Sequence, residues 1–290
     1  MPLWQAIVLA VVQGLTEFLP ISSTAHLALV PWMFRFEDPG LTFDVALHLG
    51  TLVAVLLYFY RTWVDLLLAA FGIRRSVEDS ENSDYSEKDK TALKPARSPA
   101  LLWLLVLATI PAAIAGWLLQ EQVATTLRSP VVMGLALIAV ALLMAWGERV
   151  SGGKKDMTNM NFADSLWIGC SQALALVPGV SRSGITMTAA LLRDFNRAAA
   201  ARFSFLLSTP IIAGATLNSC LDLYHQGVPA DLVWPLLVGV AVSGVVGYAT
   251  ISFLLKFLQF GTFKIFIYYR VILGIIVLAL AFFLRLEAVN

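Results

Sequence analysis

Four stretches of this chain, residues 98–120, 129–147, 203–221 and 232–255, contain no Asp, Glu, Lys or Arg. An apolar run of about 20 residues is long enough to cross the hydrocarbon core of a bilayer as a helix. Two further runs, 42–60 and 265–284, have that length and carry one Asp, Glu, Lys or Arg each, Asp44 and Arg270. Only 13% of the 290 residues are charged and 59% are hydrophobic, against about 25% charged in soluble domains. The net charge of +1 gives no global field for nucleic acid. The lipid bilayer is therefore the expected partner. No Lys or Arg occurs in the first sixteen residues, so the basic start of a secretory signal is not expected.

Two apolar segments do not read as simple spans. Residues 1–35 are interrupted by Glu17 and Pro20, and residues 163–192 by the run VPGVSRSG, 177–184. Proline ends or kinks a helix, and glycine permits a tight turn. Each segment is either one kinked span or two half-helices in a re-entrant hairpin. Charge bias favours hairpins. With both as hairpins, the loops at 61–99, 148–162, 193–202 and 255–264 share one side and hold 15 Lys and Arg, against 3 opposite. With both crossing, the split is 11 to 7. Basic loops stay cytoplasmic, so both termini are expected outside.

The expected fold is an all-α polytopic membrane protein, with six transmembrane helices plus two re-entrant helical hairpins in an inverted-topology repeat. Residues 1–150 form the first repeat (hairpin 1–35, three spans, cytoplasmic loop 61–99). Residues 151–290 form the second (hairpin 163–192, three spans). Gln13 precedes Pro20 by seven residues and Gln172 precedes Pro178 by six; Phe43, Leu47 and Gly50 match Phe203, Leu207 and Pro210 at an offset of 160. Interrupted segments at matching places in two inverted halves point to a site between them.

The polar residues of the two hairpins suggest its chemistry. Gln13 and Glu17, four apart, share a helix face. Ser22 and Ser23 lie four and three residues before His26. That is nucleophile-and-base spacing, or one serine simply caps a helix. In the second hairpin, Arg182 offers a planar fork suited to phosphate. Ser181, Ser183 and Thr186 add hydroxyls, and Gly179 lets backbone approach a ligand. Arg182 paired to Glu17 as structural glue is the plainer alternative. A carboxylate prefers hard cations such as Mg²⁺ or Ca²⁺. The residues thus point to an intramembrane site for a phosphorylated, lipidic ligand and leave hydrolysis against transport open. His48 and Asp44 read as structural polar glue or, alternatively, as residues that support the site from behind, Cys170 and Cys220 read as two small core residues, and Arg270 has no assigned partner.

QGLTE at 13–17, SSTAH at 22–26 and PGVSRSGIT at 178–186 resemble the motifs of the undecaprenyl-diphosphate phosphatase family, also called bacitracin-resistance proteins. The run DFNRAAAARFSFLLSTP, 194–210, is also similar, and the resemblance covers nearly the whole chain. It implies a metal-dependent membrane phosphatase that converts undecaprenyl diphosphate, a polyprenyl diphosphate lipid, to the monophosphate carrier. The enzyme would sit in the cytoplasmic (inner) membrane with its site open to the outer face, and a homodimer is left open. By motif position, Ser23 is the nucleophile with Ser22 second, and His26 activates it or shuttles the proton. Glu17 binds metal or acts in acid–base chemistry, supported by Gln13. Arg182, Ser181, Ser183 and Thr186 hold the diphosphate. Gln13 departs from the Glu that many members carry, which puts its metal binding in question. A polyprenyl-phosphate transporter or flippase is the rival reading. A lipid phosphatase of the acid-phosphatase type is excluded, because no histidine follows Arg182 at the required spacing; His26, His48 and His225 are the only three.

Overall fold

The computed structural model describes residues 1–36, 40–73, 99–124, 129–226 and 229–287. Its regular elements are all helical. In chain order they are α1 (Leu3–Thr16), α2 (Ser23–Phe34), α3 (Gly40–Tyr58), α4 (Tyr60–Ala70), α5 (Pro99–Ala124), α6 (Pro130–Val150), α7 (Phe162–Ala173), α8 (Arg182–Leu192), α9 (Arg197–Gln226), α10 (Ala230–Phe257) and α11 (Lys264–Glu287). Five helices, α5, α6, α9, α10 and α11, are long and apolar enough to cross a membrane. The α3–α4 pair, bent by 70° at Phe59, makes a sixth candidate if counted as one span. The expected loop at 61–99 therefore opens with helix α4, while residues 74–98 lie outside the described part.

The helices are apolar on both faces. On α5, Trp103, Val106, Ile110, Ile114 and Trp117 are exposed, while Leu101, Leu105, Ala108 and Ala112 are buried. A greasy outer stripe opposite a packed inner one is what a lipid-facing helix requires, and the protein is a multi-pass membrane protein. Cys170 is exposed, which corrects the expectation that it lies in the core; the Cys220 side chain is outside the described part.

In lipid, helices associate by close packing and polar contacts rather than by hydrophobic burial. A Cβ on Gly14 of α1 would lie 2.7 Å from Val246 Cβ and 2.9 Å from the Gly247 nitrogen, so α1 fits α10 only without a side chain there. A Cβ on Gly169 of α7 would fall on the Ala108 backbone of α5. The opening helix of each interrupted pair thus packs on a long helix of the other half.

The two interruptions are built alike. After α1, Ser22 adopts φ +78°, and its Oγ accepts the Ala25 N–H at 3.4 Å to cap α2. Before α8, Ser181 adopts φ +71°, and its Oγ accepts the Gly184 N–H at 3.1 Å. Below the second pair, the fully buried Asp164 accepts Lys155 Nζ at 3.2 Å and Arg193 Nε at 2.7 Å, which pins the 151–160 loop to the corner after α8.

Candidate functional site

Pro20 and the left-handed Ser22 stop α1 from running on, and the break leaves Glu17 at the end of α1 with its side chain buried. Four elements converge on that carboxylate. Arg182 Nη2 of α8 donates to Oε1 at 2.9 Å. Ser23 Oγ of α2 donates to Oε2 at 2.7 Å. Gln13 Nε2, one turn back on α1, donates to Oε2 at 3.2 Å. His48 Nε2 of α3 lies 3.4 Å from Oε2. The two halves of the chain meet here, since Glu17 and Arg182 are 165 positions apart.

Arg182 is held from behind. Its Nη1 donates to the Ser204 carbonyl of α9 at 3.1 Å. Thr186 Oγ1 donates to the Arg182 carbonyl and meets Ser204 Oγ, both at 2.7 Å. Ser183 Oγ donates to the Leu19 carbonyl of the first break at 3.0 Å, and Ser181 Oγ lies 3.2 Å from Ser183 Oγ. The three hydroxyls expected to line the site therefore brace the second break and fasten it to the first. Gly179, at φ +96°, brings the turn against α6, where a Cβ would lie 2.6 Å from the Met133 carbonyl oxygen.

His26 does not meet either serine hydroxyl. Its Nδ1 is 2.7 Å from the Ser22 carbonyl oxygen and its Nε2 is 2.6 Å from the Tyr269 hydroxyl of α11. The spacing that suggested a serine–histidine pair instead serves a cap and a backbone hydrogen bond: an i−4 carbonyl is as close to a helical imidazole as an i−4 hydroxyl. The capping alternative holds for Ser22, and the Arg182–Glu17 pair is made.

Three neighbours of the site escaped the sequence reading. A fourth, His48, read there as polar glue or as a support of the site, is the neighbour of the Glu17 carboxylate; an ionisable residue inside a span was the signal. Ser204 lies in the run 194–210 but was not singled out within it, and Tyr269 gave no signal. Arg270 is fully buried beneath both breaks. It donates Nη1 to the Pro20 carbonyl at 3.1 Å, and Nη2 to the Gly179 and Val180 carbonyls at 2.9 and 3.0 Å and to Ala136 at 3.4 Å. Its Nε donates to Leu137 at 3.2 Å. One guanidinium thus satisfies carbonyls freed by both interruptions, which in lipid have no water to turn to.

No cluster of three or more His, Cys, Asp or Glu suited to a metal exists among the described residues. Gln13 Oε1, however, is buried without a hydrogen-bond partner beside the Glu17 carboxylate. A carbonyl oxygen beside a carboxylate is a pair of donor types that hard cations such as Mg²⁺ and Ca²⁺ take.

Two interrupted helix pairs in a bundle of apolar helices, with a carboxylate, a guanidinium and a serine at their junction, define a membrane protein with a buried polar site. The chain belongs to the bacitracin resistance protein BacA family, whose model matches residues 6–276. Among its relatives is the undecaprenyl-diphosphatase of Desulforudis audaxviator, 48% identical over 278 residues, or 96% of this chain and 97% of that one. Those of Pelotomaculum thermopropionicum and Moorella thermoacetica are each 45% identical, over 97% of both chains and over 98% and 100% respectively.

Proposed function

We propose that the chain is an undecaprenyl-diphosphate phosphatase, which hydrolyses the lipid diphosphate to undecaprenyl phosphate and inorganic phosphate and so returns the carrier to cell-wall synthesis. The observation that carries the chemistry is the Glu17 carboxylate holding Ser23 Oγ on one oxygen and Arg182 on the other. Ser23 Oγ attacks the terminal phosphorus and its proton passes to Glu17, the acceptor it already faces. The anhydride P–O bond breaks and undecaprenyl phosphate leaves. Water then hydrolyses the phosphoserine. Arg182 neutralises charge on the transferring group, the part an arginine plays in phosphoryl transfer. Ser181, Ser183, Thr186 and Gly179 hold the turn that presents it.

Glu17 and Gln13 would hold a divalent cation, Mg²⁺ or Ca²⁺, which supplies charge neutralisation at the phosphate oxygens when bound. The orphaned Gln13 Oε1 supports this assignment.

The topology we propose is six spans with two re-entrant hairpins, 1–35 and 163–192, in inverted repeats 1–150 and 151–290. Both termini lie outside the inner membrane and the site opens to its outer face. The matched left-handed serines, Ser22 and Ser181, and the excess of basic residues in one set of loops support it.

The test is phosphate release by the purified protein from undecaprenyl diphosphate with Mg²⁺ or Ca²⁺. Release that Ser23→Ala abolishes is expected. Folded protein that releases none, yet moves polyprenyl phosphate between vesicle leaflets, overturns the reading in favour of a flippase.

A further inference from the structure

We propose that His26 works through the backbone of Ser22, and that Tyr269 is the positioning residue that holds it there; this rests on Ser23 being the nucleophile. The Ser22 carbonyl can only accept a hydrogen bond, so Nδ1 of His26, 2.7 Å away, must carry its proton. In the neutral ring Nε2 is then the acceptor, and the Tyr269 hydroxyl donates to it at 2.6 Å. The two rings lie nearly parallel, 10° apart with centroids at 5.7 Å. Both nitrogens are committed, and neither faces Ser23, whose hydroxyl is turned to Glu17.

The gripped carbonyl belongs to the peptide that joins Ser22 to Ser23. Ser22 sits at φ +78°, a conformation that persists only where the surroundings over-determine it. Its carbonyl accepts the His26 N–H at 3.3 Å and the imidazole at 2.7 Å, and its hydroxyl caps Ala25. The plane of that peptide sets where Ser23 Oγ points.

The second interruption serves as an internal comparison. Ser181 has the same φ and cap, and its carbonyl accepts the Ile185 N–H at 2.9 Å. The residue four places on is Ile185, with no side chain to grip it. The imidazole clamp is present in the break that carries a serine next to the turn and absent in the one that carries an arginine. Tyr269 precedes Arg270, so adjacent residues of α11 hold the His26 ring and the two broken backbones.

Asparagine and glutamine separate clamp from base. Asn at 26 places an amide N–H near the position of Nδ1, whereas Gln places it near Nε2. His26→Asn is expected to keep at least about a tenth of wild-type kcat with KM little changed, and His26→Gln to fall about a hundredfold, the cost of a 1 Å misplacement. Tyr269→Phe is expected to lose about tenfold in kcat and to add no loss in the His26→Asn background. Independently of turnover, ¹⁵N-histidine NMR should show His26 protonated at Nδ1, with its Nε2 signal moved by Tyr269→Phe. Equal activity of the Asn and Gln variants, a wild-type rate for Tyr269→Phe, or a proton on Nε2 alone overturns the proposal. An inactive wild-type protein with the expected spectrum would instead count against the phosphatase reading.

Discussion

Ser22 and Ser181, 159 positions apart, hold the same left-handed backbone and make the same cap, each to the N–H three residues on. Glycine adopts this backbone freely and alanine does not. Ser181→Gly should therefore lie within about 0.5 kcal/mol of wild type, since glycine tolerates an N-cap well. Ser181→Ala should cost about 1–3 kcal/mol. Thermal unfolding of the purified variants gives the order, and an alanine variant as stable as the glycine one would show that the backbone is not strained there.

Arg182 spans Glu17 and the Ser204 carbonyl with two different nitrogens. Lysine has one nitrogen and cannot do both. Arg182→Lys should lower kcat/KM at least about tenfold. Arg182→Ala, which leaves a buried carboxylate with one cationic neighbour fewer, should cost about 3 kcal/mol or more in stability as well. Phosphate-release kinetics and unfolding measured on the same preparations check both, and Lys at wild-type efficiency would refute the role given to the fork.

Arg270→Met removes the shared donor of the Pro20, Gly179 and Val180 carbonyls. Each buried carbonyl left unpaired costs about 1–3 kcal/mol, so a fall of at least about 3 kcal/mol is expected, with activity lost alongside. Unfolding in detergent is the measurement; an unchanged melting temperature would mean the two breaks are held by other contacts.

Gln13 offers a neutral oxygen where a second carboxylate would bind a cation more strongly. Gln13→Glu should lower the Mg²⁺ or Ca²⁺ concentration giving half-maximal phosphate release, by about tenfold or more (one added carboxylate ligand). Gln13→Leu should raise it. A cation titration of activity distinguishes these outcomes, and identical midpoints would remove Gln13 from the cation site.

The proposed topology is tested by a single cysteine at position 80 in a chain lacking Cys170 and Cys220. An impermeant maleimide should label Ser80→Cys in inverted vesicles and not in intact cells. Labelling in intact cells would place the 61–99 segment outside.

Most apolar runs were legible in the sequence to within a few residues: 232–255 is α10 and 265–284 is α11, whereas α9 starts at Arg197, well before the run at 203–221. Length and the absence of charge are local properties, and a spanning helix closes its backbone hydrogen bonds within its own segment. The breaks at Pro20 and at Pro178–Gly179 were legible for the same reason. So was the convergence of Glu17, Ser23 and Arg182, because ionisable residues in apolar segments have few places to go except toward one another.

Other assignments depended on which atoms the folded chain brings together. Spacing alone allowed His26 to reach a serine hydroxyl, yet the imidazole took the Ser22 carbonyl and a tyrosine 243 positions away. His48 came to Glu17 through the packing of α3, and Arg270 found carbonyls of three distant segments. Local periodicity reports which residues share a helix face and where a helix must end. It does not report which donor meets which acceptor, because that depends on the rotation and depth of helices from both halves of the chain, fixed by close fits such as Gly14 against α10.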